Sequence, residues 1–481
     1  MSTRACSTRS RSASSACSFK KRASRATGSW PSPSRRGCIA MGSEKPDVIV
    51  LGGGFAGLSC AAALAAKGRK VLVLDKKPHL GGRAYSFEEN GLEIDNGQHL
   101  FMGCYRATRA FLGEIGTADK LDIYSEVVVD YAEAGGGRDR LSCPSWLPAP
   151  FHLAAGLLGL KGVSLREKTA LRAFDLALKA MKSGPIPEAV ERLTVRAWLN
   201  SLGLSSNFQT RFFDPAAIGI LNDNPEVASA AGFIQALREM FFSGRESSRF
   251  ALARTGLSEL YTGAARDYIE ARGGRVISNA RAASLIEEGG RVRGIVTDMD
   301  SRFEAGHVVS TLPPWDLKKL GLPAALRGPW KDLKPAPIVG ATLKLDRPVM
   351  SERFLGMLGT ETHWVFNKTL IQGVKEEGQT LAVVISGAHQ HVGLSPEKIL
   401  QVALKDLTSC LPGFDRARLV ASKVVKEPFA TLSPTPGSEA KRPEPGSGMP
   451  GFSFAGDWTR TGLPATIESA CVSGRAVAET I

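Results

Sequence analysis

Residues 48 to 75 leave the chain few ways to fold. Val48-Ile-Val-Leu51 is a short apolar, β-branched run between Pro46 and a cluster of glycines, which specifies a buried parallel strand. Residues 55–67 (FAGLSCAAALAAK) carry small and apolar side chains at helical spacing and stop at Gly68, a helix-ending signal. Val71-Leu-Val-Leu74 is a second buried strand, ending in Asp75. Strand, helix and strand in under thirty residues make a βαβ unit. Its first turn, Gly52-Gly-Gly54-Phe-Ala-Gly57, is G-x-G-x-x-G, and Asp75 lies 18 residues past Gly57. That combination is the dinucleotide fingerprint. Gly52 permits the tight turn, Gly54 lets backbone approach a pyrophosphate, and Gly57 allows close helix–strand packing. Asp75 can accept hydrogen bonds from a ribose. An ordinary glycine turn would leave the carboxylate at that strand end a coincidence.

Beyond this unit the pattern is helical from 151 to 245, with apolar spacing through 165–182, 187–203 and 226–242. A helix is expected over 256–272, then strands at 275–279, 291–297 and 306–311, and further strands at 338–345, 363–366 and 381–386. A helix at 395–410 and a Pro/Gly-rich loop, 434–451, lead to the strand Phe452-Ser-Phe-Ala455 and a final helix from about Pro464. Residues 141–160 hold no formal charge, but three prolines spoil the first half, and a span needs ~20 predominantly apolar residues. A buried helix is expected there, with an interfacial helix as the minority reading.

Charge argues about partners. The chain has 61 Lys+Arg and 47 Asp+Glu, a formal net charge of +14. Nine of those basic residues fall within residues 1–40, which contain no acid, so the remainder is only +5. With no interleaved basic–aromatic motif, that disfavours a nucleic-acid partner. Residues 1–40 are Ser- and Arg-rich and cannot offset ordering entropy by burial. They read either as an organellar transit peptide or, preferably, as an extension upstream of a start at Met41. The corresponding locations are plastid or mitochondrion in the first case, and cytoplasm, peripheral on a membrane, in the second. The cysteines beyond this segment are scattered, and no cluster has metal-ligand spacing, so no metal site is expected.

Two further blocks extend the fingerprint. Leu80-Gly81-Gly82-Arg83 offers backbone N–H groups and a guanidinium to a diphosphate. It resembles the second cofactor motif of flavin amine oxidases and phytoene-type desaturases. Near the C-terminus, Phe454-Ala-Gly456-Asp457-Trp458 and Leu463-Pro-Ala-Thr-Ile-Glu468 complete that resemblance. Within the superfamily, the match narrows to the hydroxysqualene dehydroxylases, also called squalene-associated FAD-dependent desaturases. Asp95-Asn-Gly-Gln-His99 is similar to that family's D-N-G-Q-H, Pro148-Ala-Pro-Phe-His-Leu153 to P-A-P-L-H-L, and His363-Trp-Val-Phe-Asn-Lys368 to Q-W-x-F-D-R. Departures are Asp223 in place of Thr, His363, Asn367 and Lys368 in place of Gln, Asp and Arg, and Val472 in place of Arg.

The resemblance implies an α/β fold: a discontinuous, Rossmann-like FAD-binding domain of the GR2 type (46–130, 246–312 and 450–481) with an inserted α+β substrate domain (131–245 and 313–449). It implies FAD held by Gly52, Gly54, Phe55, Ala56, Gly57, Asp75, Lys76, Gly82, Arg83, Gly97, Gln98, His99, Ala282, Gly456, Asp457, Pro464, Ala465 and Thr466. The implied reaction is reductive removal of the hydroxyl of hydroxysqualene, with His99 as first candidate for the acid or a positioning hydrogen bond and Asp223 as second. No second fingerprint follows a strand, so NADPH or another external reductant must supply electrons. Implied partners are a hydrophobic isoprenoid substrate, a membrane surface and other squalene-pathway enzymes. The rivals are a carotenoid or phytoene-type desaturase and a non-catalytic prenyl-binding escort of the same fold.

Overall fold

The computed structural model describes residues 45–446 and 449–481; both readings of residues 1–40 lie outside the described residues. The βαβ unit forms as its sequence requires, with Val48–Leu51 and Val71–Leu74 buried along their whole length and Phe55–Ala66 between them. These strands occupy the centre of a five-stranded, all-parallel sheet. Its order is Arg275–Ile277, Val71–Leu74, Val48–Leu51, His307–Ser310, Phe452–Phe454. Because the strands come from distant stretches of chain, the dinucleotide-binding part is discontinuous. The final helix, Ile467–Thr480, packs on Phe55–Ala66. Gly474 makes that approach feasible, since a Cβ there would sit 2.3 Å from the Ala56 carbonyl oxygen. Fully burying each large aliphatic side chain of such strands contributes about 1.5–3 kcal/mol, well above what a surface ion pair supplies.

A second, seven-stranded mixed sheet stands apart from the first. Its order is Leu419–Leu432, Pro335–Leu345, Gln379–Ser386, Trp364–Asn367, Phe354–Leu358, Val127–Glu133, Arg138–Cys143. Alternate residues of each strand point to the same face. In register across the sheet, Val129 lies opposite Leu141, Tyr131 beside Gly356, Gly356 opposite Trp364, and Trp364 opposite Val384. Ile338 lies between Ser386 and Glu427. One face of this sheet is therefore written by residues scattered over three hundred positions.

Several expectations shift. The strand Val127–Glu133 crosses the expected boundary at 130/131 and belongs wholly to the second sheet. Leu419–Leu432 forms a 14-residue strand in a stretch without a strand expectation. It is an edge strand, half exposed and interrupted by Pro428, and its register slips between the Ala336 and Ile338 pairings, where a proline is tolerated. The helix expected over 165–182 is two, Leu165–Lys168 and Leu171–Ala180. That over 187–203 is also two, Glu188–Glu191 and Val195–Ser201. Thr194 starts the latter by capping the backbone N–H of Ala197.

Candidate functional site

In open parallel sheets the crevice at the carboxyl ends of the strands is where ligands sit. Here Gly52, Asp75, Thr311 and Gly456 all follow such ends and all line one cavity of about 1040 Å³. Gly52 has φ 105°, and a Cβ on it would lie 2.6 Å from Thr311 Oγ1. A Cβ on Gly57 would lie 1.8 Å from the Gly52 carbonyl oxygen, so Gly57 is required by packing and not by contact with the cavity. A Cβ on Gly54 would lie 3.7 Å from Gly82 Cα, ordinary van der Waals contact, so two bare backbone segments meet side by side at the cavity wall. Asp75 is buried, accepting from Gly53 N at 2.6 Å and Lys77 N at 2.8 Å. Each of its oxygens keeps a second lone pair for a ribose hydroxyl. Lys76 pairs with Asp316 at 2.6 Å on the opposite lip.

Arg83 and Asp457, from opposite ends of the sequence, meet as an ion pair, and the Arg83 guanidinium lies 5.5 Å from the Trp315 ring centre. Asn96 braces this corner, donating to the Arg83 carbonyl at 3.1 Å and to Glu427 at 3.2 Å while accepting from Tyr85 N. The loop it begins carries Gly97, Gln98 and His99 into the cavity wall. Gln98 Oε1 is buried without a partner among the described residues. His99 Nδ1 bonds the Gly97 carbonyl at 2.6 Å, and burial pushes its pKa below the ordinary value. Such a ring is neutral with its proton on Nδ1, which leaves Nε2 an acceptor.

Pro464, Ala465 and Thr466 bring the last helix to the cavity, and Thr466 caps it by accepting from Ser469 N at 3.2 Å. Glu468, buried in its first turn, accepts from Ala107 N, Thr108 N and Thr108 Oγ1 at 2.8–2.9 Å. The orphan N–H groups of a helix N-terminus favour an electron-rich ligand there. Buried Arg442 binds the carbonyls of Asp457 and Leu463 at 2.9 and 2.8 Å and so shapes the loop between them. The bare glycine cradle, the partnerless Gln98 oxygen and the helix N-terminus together fit FAD.

The same cavity continues into an apolar chamber. One wall is the face of the seven-stranded sheet, and the other is built by Leu153 and Leu157 of Phe151–Gly159, residues of Asp214–Leu221 and residues of Ala230–Phe242. Of the expected site residues, Gly57, Ala282 and Asp223 are not in the lining. Ala282 begins a strand opposite Thr297. Asp223 is fully buried and outside the cavity lining, where it takes bonds from Ser433 Oγ, Asn224 N and His389 and ties their segments together. Unforeseen are Arg442, Glu427 and the 311–319 loop; only the last had a signal, its position after a parallel strand.

Fold and crevice define a dinucleotide-binding α/β protein whose crevice opens into an apolar chamber. Residues 55–481 match the family described as flavin containing amine oxidoreductase; the chain belongs to that family and is an FAD-dependent oxidoreductase. It is 29% identical over 456 residues to hydroxysqualene dehydroxylase of Sinorhizobium fredii, covering 90% of this chain and 97% of that one. It is 26% identical to 15-cis-phytoene desaturase of Synechococcus elongatus, covering 90% and 95%. An oxidoreductase from Methanosarcina mazei shares the fold, with a TM-score of 0.70 at 17% identity over 90% of this chain and 99% of that one.

Proposed function

We propose that the protein reductively removes the hydroxyl of hydroxysqualene to give squalene. The observation that carries this reading is the continuity of the dinucleotide crevice with a long apolar chamber, the Gly97–His99 loop being part of the shared wall. When bound and reduced by an external donor, FAD would supply the hydride to the carbon that loses oxygen, and the hydroxyl would leave as water with one proton taken up. The chain's own residues do the rest. Gly52–Gly54, Gly82, Arg83 and Asp457 hold the diphosphate, Asp75 the ribose, and the Thr466 end of the last helix the flavin ring. The chamber excludes water and aligns the polyisoprenoid. Neutral His99 accepts a hydrogen bond through Nε2 and so positions the reacting group. The domains divide accordingly, the parallel sheet with its cofactor and the seven-stranded sheet with its substrate.

Anaerobic incubation of the protein with FAD, NADPH and hydroxysqualene, with products separated by mass spectrometry, should yield squalene. Double-bond gain in a supplied polyene with an electron acceptor, and no squalene, would favour the phytoene-type desaturase that the apolar chamber also suits. A colourless protein that cannot be reconstituted would revive the escort. His99→Ala should stay yellow yet lose turnover, by about 10²-fold or more; surviving turnover would remove His99 from the mechanism.

The substrate's insolubility calls for a membrane, and a surface for it exists. Phe151–Gly159 turns Leu153 and Leu157 to the chamber and Phe151 and Leu158 to solvent, with Trp146 and Leu165 78% and 82% exposed nearby in sequence. Lys168 ties Leu165–Lys168 to this helix through the Leu158 and Leu160 carbonyls. Residues 161–182 add six basic and two acidic side chains. No described helix is long and apolar enough to cross a membrane. The exposed apolar side chains beside a basic stretch support peripheral binding to anionic bilayers. In vesicle sedimentation, Phe151→Ser with Leu158→Ser should weaken binding to anionic liposomes about tenfold or more; unchanged binding would place the contact elsewhere.

A further inference from the structure

The proposed reaction consumes a proton, and neutral His99, bonded through Nδ1 to the Gly97 carbonyl, has none on Nε2 to give. Burial pushes the phenols of Tyr105 and Tyr131 and the thiol of Cys104, all on the cavity wall, well up, which makes them poor acids. The carboxylates on that wall are Asp75, Glu239, Asp316, Glu427, Asp457 and Glu468. Asp75 binds backbone N–H groups at the ribose end, Asp316 and Asp457 pair with Lys76 and Arg83, and Glu468 accepts from Ala107 and Thr108. Glu239 accepts from the Ser243 hydroxyl at 2.9 Å and also lines a second pocket that holds Lys182, Arg238 and Arg460. A carboxyl among cations is a poor proton donor.

Glu427 differs from these. It stands in register with Ile338 on the neighbouring strand, so the two side chains share the chamber face of the seven-stranded sheet, and both line the cavity. Its Oε1 accepts from Asn96 Nδ2 at 3.2 Å, while Oε2 has no partner among the described residues and is not sealed off within the protein. The strand around it is tied to the cofactor crevice. Asn96 precedes the Gly97–His99 loop, Arg83 Nη1 donates to the Ala430 carbonyl at 3.4 Å, and Thr431 Oγ1 donates to the Ala465 carbonyl at 3.2 Å, beside the start of the last helix. Glu427 therefore belongs to the chamber through Ile338 and to the crevice through Asn96.

We propose that Glu427 is the general acid that protonates the departing hydroxyl. This rests on the dehydroxylase reading and supplies the proton that reading requires. With Asn96 donating to Oε1, the carboxylic proton resides on Oε2, the oxygen without a protein partner. An isoprenoid filling the chamber strips water from the carboxyl, and desolvation favours the protonated form. As the C–O bond breaks, its electron pair goes to oxygen, which takes the Oε2 proton and leaves as water. The carbon receives a hydride, with its electron pair, from FAD that an external two-electron donor has reduced. Glu427, left as a carboxylate, regains its proton from solvent once product departs.

Glu427→Gln keeps an oxygen for Asn96 and removes the proton, so it should retain FAD. FAD-loaded wild type reduced with dithionite should convert hydroxysqualene to squalene in a single turnover, seen as flavin reoxidation, and Glu427→Gln should slow this about 10²-fold or more. The acetate ester of hydroxysqualene loses acetate without needing a proton, so on it the variant should stay within about threefold of wild type. A second readout needs no turnover. At about pH 8, squalene binding to oxidised, FAD-loaded wild type should take up about one proton, followed with an indicator dye, and Glu427→Gln should take up none. Absence of uptake by wild type would overturn the assignment even if the variant lost its flavin. Equal slowing of alcohol and ester would reduce Glu427 to a brace for Asn96. Undiminished alcohol turnover in Glu427→Gln, or its loss in Glu239→Gln instead, would place the acid elsewhere. A wild type that forms no squalene from either substrate would sink the dehydroxylase reading itself, a result distinct from all of these.

Discussion

Gly57→Ala should yield protein without flavin and with a destabilised fold. The helix φ at that position suits alanine, but its methyl would overlap the Gly52 carbonyl oxygen, 1.8 Å away, and that oxygen is backbone of the strand-to-helix turn. The strand and helix must part by more than an ångström, so a loss of about 3 kcal/mol or more is expected, in the range of the worst overpacking substitutions. Gly54→Ala is the informative partner. Gly54 has φ −90°, open to any residue, and its added methyl meets nothing closer than 3.7 Å. That variant should keep the thermal stability of apoprotein to within about 0.5 kcal/mol. Its methyl nonetheless covers bare backbone that a pyrophosphate must approach closely, so FAD affinity should fall about tenfold or more. Calorimetry of apoprotein and titration with FAD separate the two effects. Normal FAD affinity in Gly54→Ala would mean that the diphosphate does not lie in this cradle.

Lys368→Met is expected to be the other costly change. Lys368 is buried and donates to Asp95 Oδ2 at 2.9 Å and to the Glu93 carbonyl at 3.0 Å, and the Asp95 carboxylate is nearly as buried. Removing the ammonium strands the Asp95 charge, with Leu257 N as the side-chain carboxylate's remaining donor among the described residues. Breaking one partner of a buried pair costs about 3–5 kcal/mol. Adding Asp95→Asn should recover about 1–3 kcal/mol, which chemical denaturation of the single and double variants measures. The pair also anchors the strand leading to Gly97–His99, so Lys368→Met should lower turnover even in molecules that retain FAD. A double variant no more stable than the single would show that the pair is held by packing instead of charge.

Much of the cofactor site was legible because its determinants are local. A strand, a glycine turn and a helix within thirty residues admit one arrangement, and each glycine has a steric task visible in its spacing. The Leu80–Arg83 and Gly456–Asp457 blocks were readable as motifs, yet that Arg83 and Asp457 form an ion pair with each other was not, since 374 positions separate them. The strand Leu419–Leu432 escaped detection because an exposed edge with a proline has no apolar period to read. Asp223 looked like a candidate acid because a carboxylate replaced a neutral residue beside a helix. Burial and bonds to Ser433 and His389 give it another task, and those partners arrive from far along the chain.

By itself, then, the sequence determined the dinucleotide crevice and the class of cofactor it accepts, since turn sterics and strand burial act over a few residues. The tertiary structure alone decided the chamber. Its walls depend on which strands of the second sheet lie side by side and in what register, and a shift of one residue would turn Trp364 and Ser386 away from the chamber. Register is a property of paired strands, and no single stretch of sequence contains it.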